Sequence, residues 1–216
     1  MNKHLKKLKK IEDSDEGVNV EDILKLLPIG DATWIEPLKA FATQAQWYPI
    51  NKEKFVPLLA WVEMVCIYFE AGFDGLCRVI EKKDDKALLA LGTIEEFQTV
   101  EALEHLVLLG KNDDFLRDSS TSFLKKYAYT LNQISHGVPH HLIAVSLHDD
   151  LSKLLKALIE HAKMHQEDAM MASAIVCLGN CGTLEDIDFL KKLPPLDFPY
   201  KGIEKKMIRK IQKNHA

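Results

Sequence analysis

AIVCLGNCGTLEDIDFL, residues 174–190, places Cys177 and Cys181 four apart around a glycine and follows them with an acidic run. As chemistry, the spacing puts two thiols on one helix face, where they could share a metal. Zinc needs two more ligands, however, and no second Cys or His pair stands at finger spacing from them. As architecture, the same residues are punctuation. Leu178-Gly179 marks close helix packing, Gly182 ends a helix, and Thr183 with Asp186 has the capping-box pattern that opens the next. This second reading predicts Cys177 as a small core hydrophobe and Cys181 in the turn.

Similar punctuation recurs along the chain. Thr33 with Glu36 has the capping-box pattern, and Gly72, Gly110 and the Pro194-Pro195 pair mark helix ends. Leu151, Leu154, Leu155, Leu158, Ile159 and Ala162 recur at steps of three and four, the stripe of an amphipathic helix started by Asp149 or Asp150. Residues 114–134 repeat the pattern and predict one long helix with Asp113 as its cap. Residues 135–150 carry four histidines, a Gly and a Pro, and read as a longer insertion with a short helix from Pro139. Strand signals are nearly absent. The expected class is all-α, with about nine or ten helices joined by short turns. Residues 1–19 form a basic and polar lead segment, and residues 20–216 form one helical domain.

Composition narrows the function. A chain of 216 residues can bury a substantial core without disulfides or metal. Its 28 Lys and Arg against 32 Asp and Glu give a net charge of -4 and a pI near 6.1, which does not favour nucleic acid or anionic lipid. The four cysteines form no CxxC and fit reduced thiols. MNKHLKKLKK, residues 1–10, lacks the apolar stretch of a secretory signal, and no segment approaches the roughly 18 apolar residues of a spanning helix. A cytoplasmic location without membrane attachment is expected.

A closed bundle and a stacked array of helix pairs both remain open at this point, and internal similarity separates them. Residues 87–106 and 173–190 both read as an Ala- and Leu-rich helix ending in Leu-Gly, a Thr-capped turn and a second amphipathic helix. Asp114, Leu116 and Arg117 resemble the Asp-x-x-Val-Arg signature of HEAT repeats, and Ala174, Leu178 and Gly179 resemble their Ala-x-x-x-Leu-Gly run. Met171 departs from the pattern where the later repeat has its Arg. The resemblance covers residues 86–211, with residues 20–85 similar in helix pattern alone. It implies an α-α superhelix in which the Asp and Arg pair along the stack, and a concave face lined by the second helix of each pair.

Candidate sites follow. His161 and His165 stand four apart with Glu160, Glu167 and Asp168 nearby, a weak metal candidate lacking HExxH order. HEAT-like metal hydroxylases use His-Glu pairs, but here the order is reversed in Glu104-His105 and Glu160-His161. HEAT-like alkylpurine DNA glycosylases need a basic groove, whereas the expected second-helix starts are acidic: Asp113, Asp114 and Asp118, then Glu167 and Asp168. Trp47-Tyr48-Pro49 falls between helices, where an aromatic pair anchors a partner. No GxSxG, phosphate loop or GxGxxG is present.

The expected function is therefore non-enzymatic binding of another, basic protein, with no cofactor. A concrete form is an acidic inhibitor or immunity protein that blocks a nuclease-like toxin, bound through Trp47, Tyr48, Asp113, Asp114, Asp118, Glu167 and Asp168. The alternative is a HEAT-like enzyme, either a glycosylase or a metal-dependent oxygenase.

Overall fold

The computed structural model describes residues 20–45 and 52–215, and the chain divides into two compact units, Met1–Glu96 and Phe97–Ala216. Among the described residues every regular element is helical, and the all-α expectation holds. Trp47, Tyr48 and residues 1–19 lie outside the described residues.

The first unit comprises α1 (Val20–Leu24), a 3-10 turn (Ala32–Trp34), α2 (Ile35–Ala45), α3 (Lys52–Ile80) and α4 (Asp85–Glu95). Its buried side chains are mainly aliphatic, among them Ile23, Leu38, Met64, Leu76, Ile80 and Leu91, with Trp34, Phe41 and Phe73 beside them. Two expectations shift here. Asp31, not Thr33, caps the first helical turn. Its carboxylate accepts from Thr33 N–H at 2.8 Å and from the Thr33 hydroxyl at 2.6 Å, which leaves Thr33 inside the turn it was expected to start. Gly72 interrupts α3 as expected, at φ 59° and ψ -150°, but the helix resumes at once. That backbone conformation favours glycine, so the residue kinks one long element.

The second unit comprises α5 (Val100–Gly110), α6 (Asp113–Arg117), α7 (Thr121–Gly137), a 3-10 turn (His140–Leu142), α8 (Val145–Met164), α9 (Asp168–Cys181), a 3-10 turn (Leu184–Asp186), α10 (Ile187–Lys191) and α11 (Ile203–Asn214). The single helix expected over 114–134 is broken into α6 and α7. The Ser119 hydroxyl turns back onto the Phe115 carbonyl, and Ser120, in extended backbone, accepts from Phe123 N–H at 3.3 Å. Short hydroxyl side chains compete with the helical ladder, and two in a row stop one helix and cap another. Asn112 rather than Asp113 caps α6, accepting from Asp114 N–H at 3.0 Å. α8 begins at Val145, one turn before the expected Asp149 or Asp150. The histidine-rich insertion is correspondingly short: α7 and α8 absorb its ends, and one 3-10 turn after Pro139 fills the middle.

Contacts fix the helix directions. Lys125 of α7 reaches Glu167 at 3.1 Å, the Cys177 thiol of α9 donates to the Leu131 carbonyl at 3.5 Å, and Asn180 donates to Ser135 at 2.7 Å. Residue numbers rise together on both sides, so α7 and α9 are parallel. α9 and α11 also run together: Gly179 lies against Met207, Lys210 donates to Asn180 Oδ1 at 2.6 Å, and Asn214 to the Asn180 carbonyl at 3.4 Å. α8 is antiparallel to α9, with His148 beside Cys181. α5 is antiparallel to α7, since the buried Tyr127 hydroxyl donates to the Leu106 carbonyl at 2.5 Å while Gly137 faces Gln98. A β-carbon on Gly179 would collide with Met207, so the Leu178-Gly179 step is a close-approach point, as its sequence suggests.

Candidate functional site

Three parallel helices have two unlike ends, and the polar residues of the second unit sort between them. The amino-terminal end carries the sequence-predicted acids. Phe115 of α6 packs on Phe123 and Tyr127 of α7 at ring distances of 5.7 and 5.2 Å, which places α6 over the first turns of α7. The Lys125–Glu167 pair ties the same turns to the start of α9. Asp114, Asp118, Glu167 and Asp168 are thereby brought to one end. The Asp113 side chain is not among those described.

These charges are locally paired. Arg117 contacts Asp114 at 2.5 Å and Asp118 at 3.2 Å. Arg117 thus bonds within its own turn and not along the stack, where the repeat resemblance put such a pair. Met171, which stands where the later repeat would have its Arg, is buried. Arg117 and Lys125 thus each hold one or two of the four carboxylates gathered at this end.

The carboxyl-terminal end is built on the stretch 177–186, with His148, Asn180, Cys181 and Asp186 buried, His140 half-buried and His215 exposed. Three imidazoles converge on the last carbonyls of α9: His148 donates through Nδ1 to Cys181, His140 through Nε2 to Gly182 at 3.0 Å, and His215 through Nε2 to Gly182 at 3.3 Å. A carbonyl only accepts, so each bond fixes a proton on the named nitrogen. The His140 ring lies 4.6 Å from both His148 and His215. Donors gather here because helix carboxyl ends leave unpaired carbonyls and carry partial negative charge. Burial lowers the His140 pKa; its bond to Gly182 opposes this, while His148, His215 and His141 add to the lowering.

Asp186, 1% exposed, anchors the next turn. It accepts from Thr183 N–H at 2.8 Å and from Ser152 at 2.5 Å, and lies 2.6 Å from Lys156 Nζ. Burial pushes its carboxyl up, but Lys156, Ser152 and Thr183 together hold it below the ordinary value. The Thr183–Asp186 start predicted from sequence is present, with an ion pair added from α8.

The thiols offer no reactive group. All four are free and buried. Burial raises Cys66, drives Cys77 up to about 12, and raises Cys177 well above the ordinary range, Cys181 adding to the last. The nucleophile is the thiolate, so these cysteines behave as hydrophobes. His161 and His165 do stack, 4.3 Å apart at the end of α8. Burial, then His165, lowers His161. Among the described residues, no group of three or more His, Cys, Asp or Glu side chains is placed to hold a metal ion, and no helix is long and apolar enough to cross a membrane. The basic carboxyl-terminal segment forms α11, whose Met207 and Ile211 are buried while Lys205, Lys206, Arg209 and Lys213 are exposed.

Sequence reasoning did not assemble the buried end. Its available signals were the four histidines of 135–150 and the Thr183–Asp186 cap. Nothing local links His215 or Lys210 to residues about thirty positions earlier. In comparisons with known proteins, no family model, curated protein or solved structure matches the chain.

Proposed function

We propose that the chain is a non-enzymatic protein-binding module on a HEAT-like array of helix pairs, working as an acidic inhibitor of the immunity-protein type that covers a basic toxin or enzyme. The observation that carries this reading is the gathering of Asp114, Asp118, Glu167 and Asp168 at the amino-terminal end of the parallel helices, with Arg117 and Lys125 among them. A field of one sign steers an oppositely charged partner and rejects nucleic acid. The common direction of α7, α9 and α11, with α5 and α8 running opposite, supports the helix-pair reading, and the close approach at Gly179 fits the role of small residues in such stacks. Four free, buried thiols fit a cytoplasmic, reducing compartment.

The test is affinity capture with the intact chain and with the triple variant Asp114→Lys, Asp118→Lys, Asp168→Lys, followed by identification and titration of what is retained. A basic protein bound by the wild type, weakened about tenfold or more by the triple variant and by added salt, is expected. Equal capture by both chains, or excision of alkylated bases from DNA by the purified protein, sinks the reading.

A further inference from the structure

Three histidines from three different elements meet at the end of α9. His140 comes from the 3-10 turn after Pro139, His148 from the first turn of α8, and His215 caps the end of α11. The His140 ring is central, 4.6 Å from each of the others, and all three donate to the carbonyls of Cys181 and Gly182. Each neutral ring spends one N–H on its carbonyl and keeps one bare nitrogen. Protonation at that second nitrogen leaves the carbonyl bonds intact and brings like charges together.

The surroundings do not compensate such charges. On α8, Asp150 pairs with Lys111, and Asp149 is exposed. Asp186, in the turn after Gly182, is held by Lys156. The last turn of α9 supplies no charged side chain. α11 brings Lys210, bonded to Asn180, and the exposed Lys213, while the 3-10 turn adds His141. The charges acting on His140 are those of His148, His215 and His141, and all three lower its pKa. The partial negative charge of the helix end favours one imidazolium. A second would stand beside the first with no carboxylate facing it, and like charges at that range disfavour each other. The rings differ in the relief open to them. His148 is buried and His140 is half-buried between its two neighbours, but His215 is exposed and water can take it.

We propose that the cluster is an acid-sensitive latch: the neutral His215 ring holds the end of α11 to Gly182, and when the cluster takes up a second proton His215 swings into water and that end leaves α9. Met207 and Ile211 are buried, so α11 itself stays docked and only Asn214 and His215 are released. The direction follows from linkage. His140 binds its proton more weakly in the latched form, where its neighbours disfavour the charge, so acid favours opening. The latch is closed above the ordinary imidazole value of about 6.5 and opens as the pH falls through it. It lies at the other end of the helices from the clustered acids, and its test stands independently of the proposed partner.

NMR of the intact chain from about pH 7.5 to about pH 5 reads the outcome, through nuclear Overhauser effects between ring protons and the titration curve of each imidazole. Both the His140–His148 and the His140–His215 ring contacts are expected at the upper pH. Acid is expected to raise the released population about tenfold or more, removing the His140–His215 contact while the His140–His148 contact and the amide protection of Met207 persist. His215→Gln, which donates to Gly182 without titrating, is expected to keep Asn214 in place in acid and to move the His140 midpoint upward. A His140–His215 contact that persists in acid, release of Asn214 that His215→Gln does not prevent, or loss of the α11 end only together with the whole helix overturns the proposal.

Discussion

The two ends of the α7, α9, α11 stack are both polar, yet they are polar in opposite ways. At the amino-terminal end Arg117 lies between Asp114 and Asp118 with its side chain 70% exposed. At the carboxyl-terminal end Asp186, Asn180 and His148 are buried and their partners come from distant positions: Lys156 and Ser152, Ser135 and Lys210, and Cys181. Exposed pairs within one turn contribute little to folding, because water and salt screen them. Buried groups must keep every partner, since an orphaned one retains its full desolvation penalty. The amino-terminal acids thus contribute little to folding, and the histidine end holds the helices together.

Substitutions sharpen that contrast, beginning with the buried end. Asp186→Ala removes the start of the 184–186 turn and strips Lys156 and Ser152 of their acceptor; a loss of about 3 kcal/mol, read by urea denaturation, is expected. Gly179→Val forces a side chain into Met207, and about 2 kcal/mol of destabilisation is expected from overpacking. A third test uses pH. His140 has its pKa lowered on folding, so the unfolded chain binds the proton more tightly. The stability associated with that neutral ring is complete above its ordinary value of 6.5 and is lost as pH falls through it. Stability should decline from about pH 7.5 to about 5.5, and His140→Gln, which keeps an N–H donor without titrating, should give a shallower decline. The smallest effect belongs to the exposed end: Arg117→Ala should change stability by less than about 0.5 kcal/mol. A large loss there would remove the distinction between the ends.

Much of the candidate acidic surface was legible because its residues are close in sequence or begin successive helices. Their meeting at one end was not, since it depends on α7 and α9 being parallel. Helix stops were read correctly at Gly110 and Gly182, where the signal is local. The long helix over 114–134 was misread because its apolar spacing continues through Asp118, Ser119 and Ser120. Periodicity does not register hydroxyls that bond their own backbone. The start of α8 was placed late for a related reason: the aspartates that looked like caps lie inside the helix, and Asp150 instead meets Lys111 at 2.8 Å.

The quoted stretch divides what the sequence determined from what the tertiary structure decided. Apolar spacing, the Leu-Gly step, Gly182 and the Thr183–Asp186 cap are properties of short windows, governed by backbone sterics and nearby hydrogen bonds. They determined helix, turn and the all-α class, and argued against a reactive thiol pair. Only packing placed His140, His148 and His215 on the same two carbonyls and Lys156 against Asp186, because those partners lie some thirty residues or more away. The physical reason is range: caps and stripes act over one or two turns, whereas desolvated polar groups take whichever partners parallel and antiparallel helices bring to them.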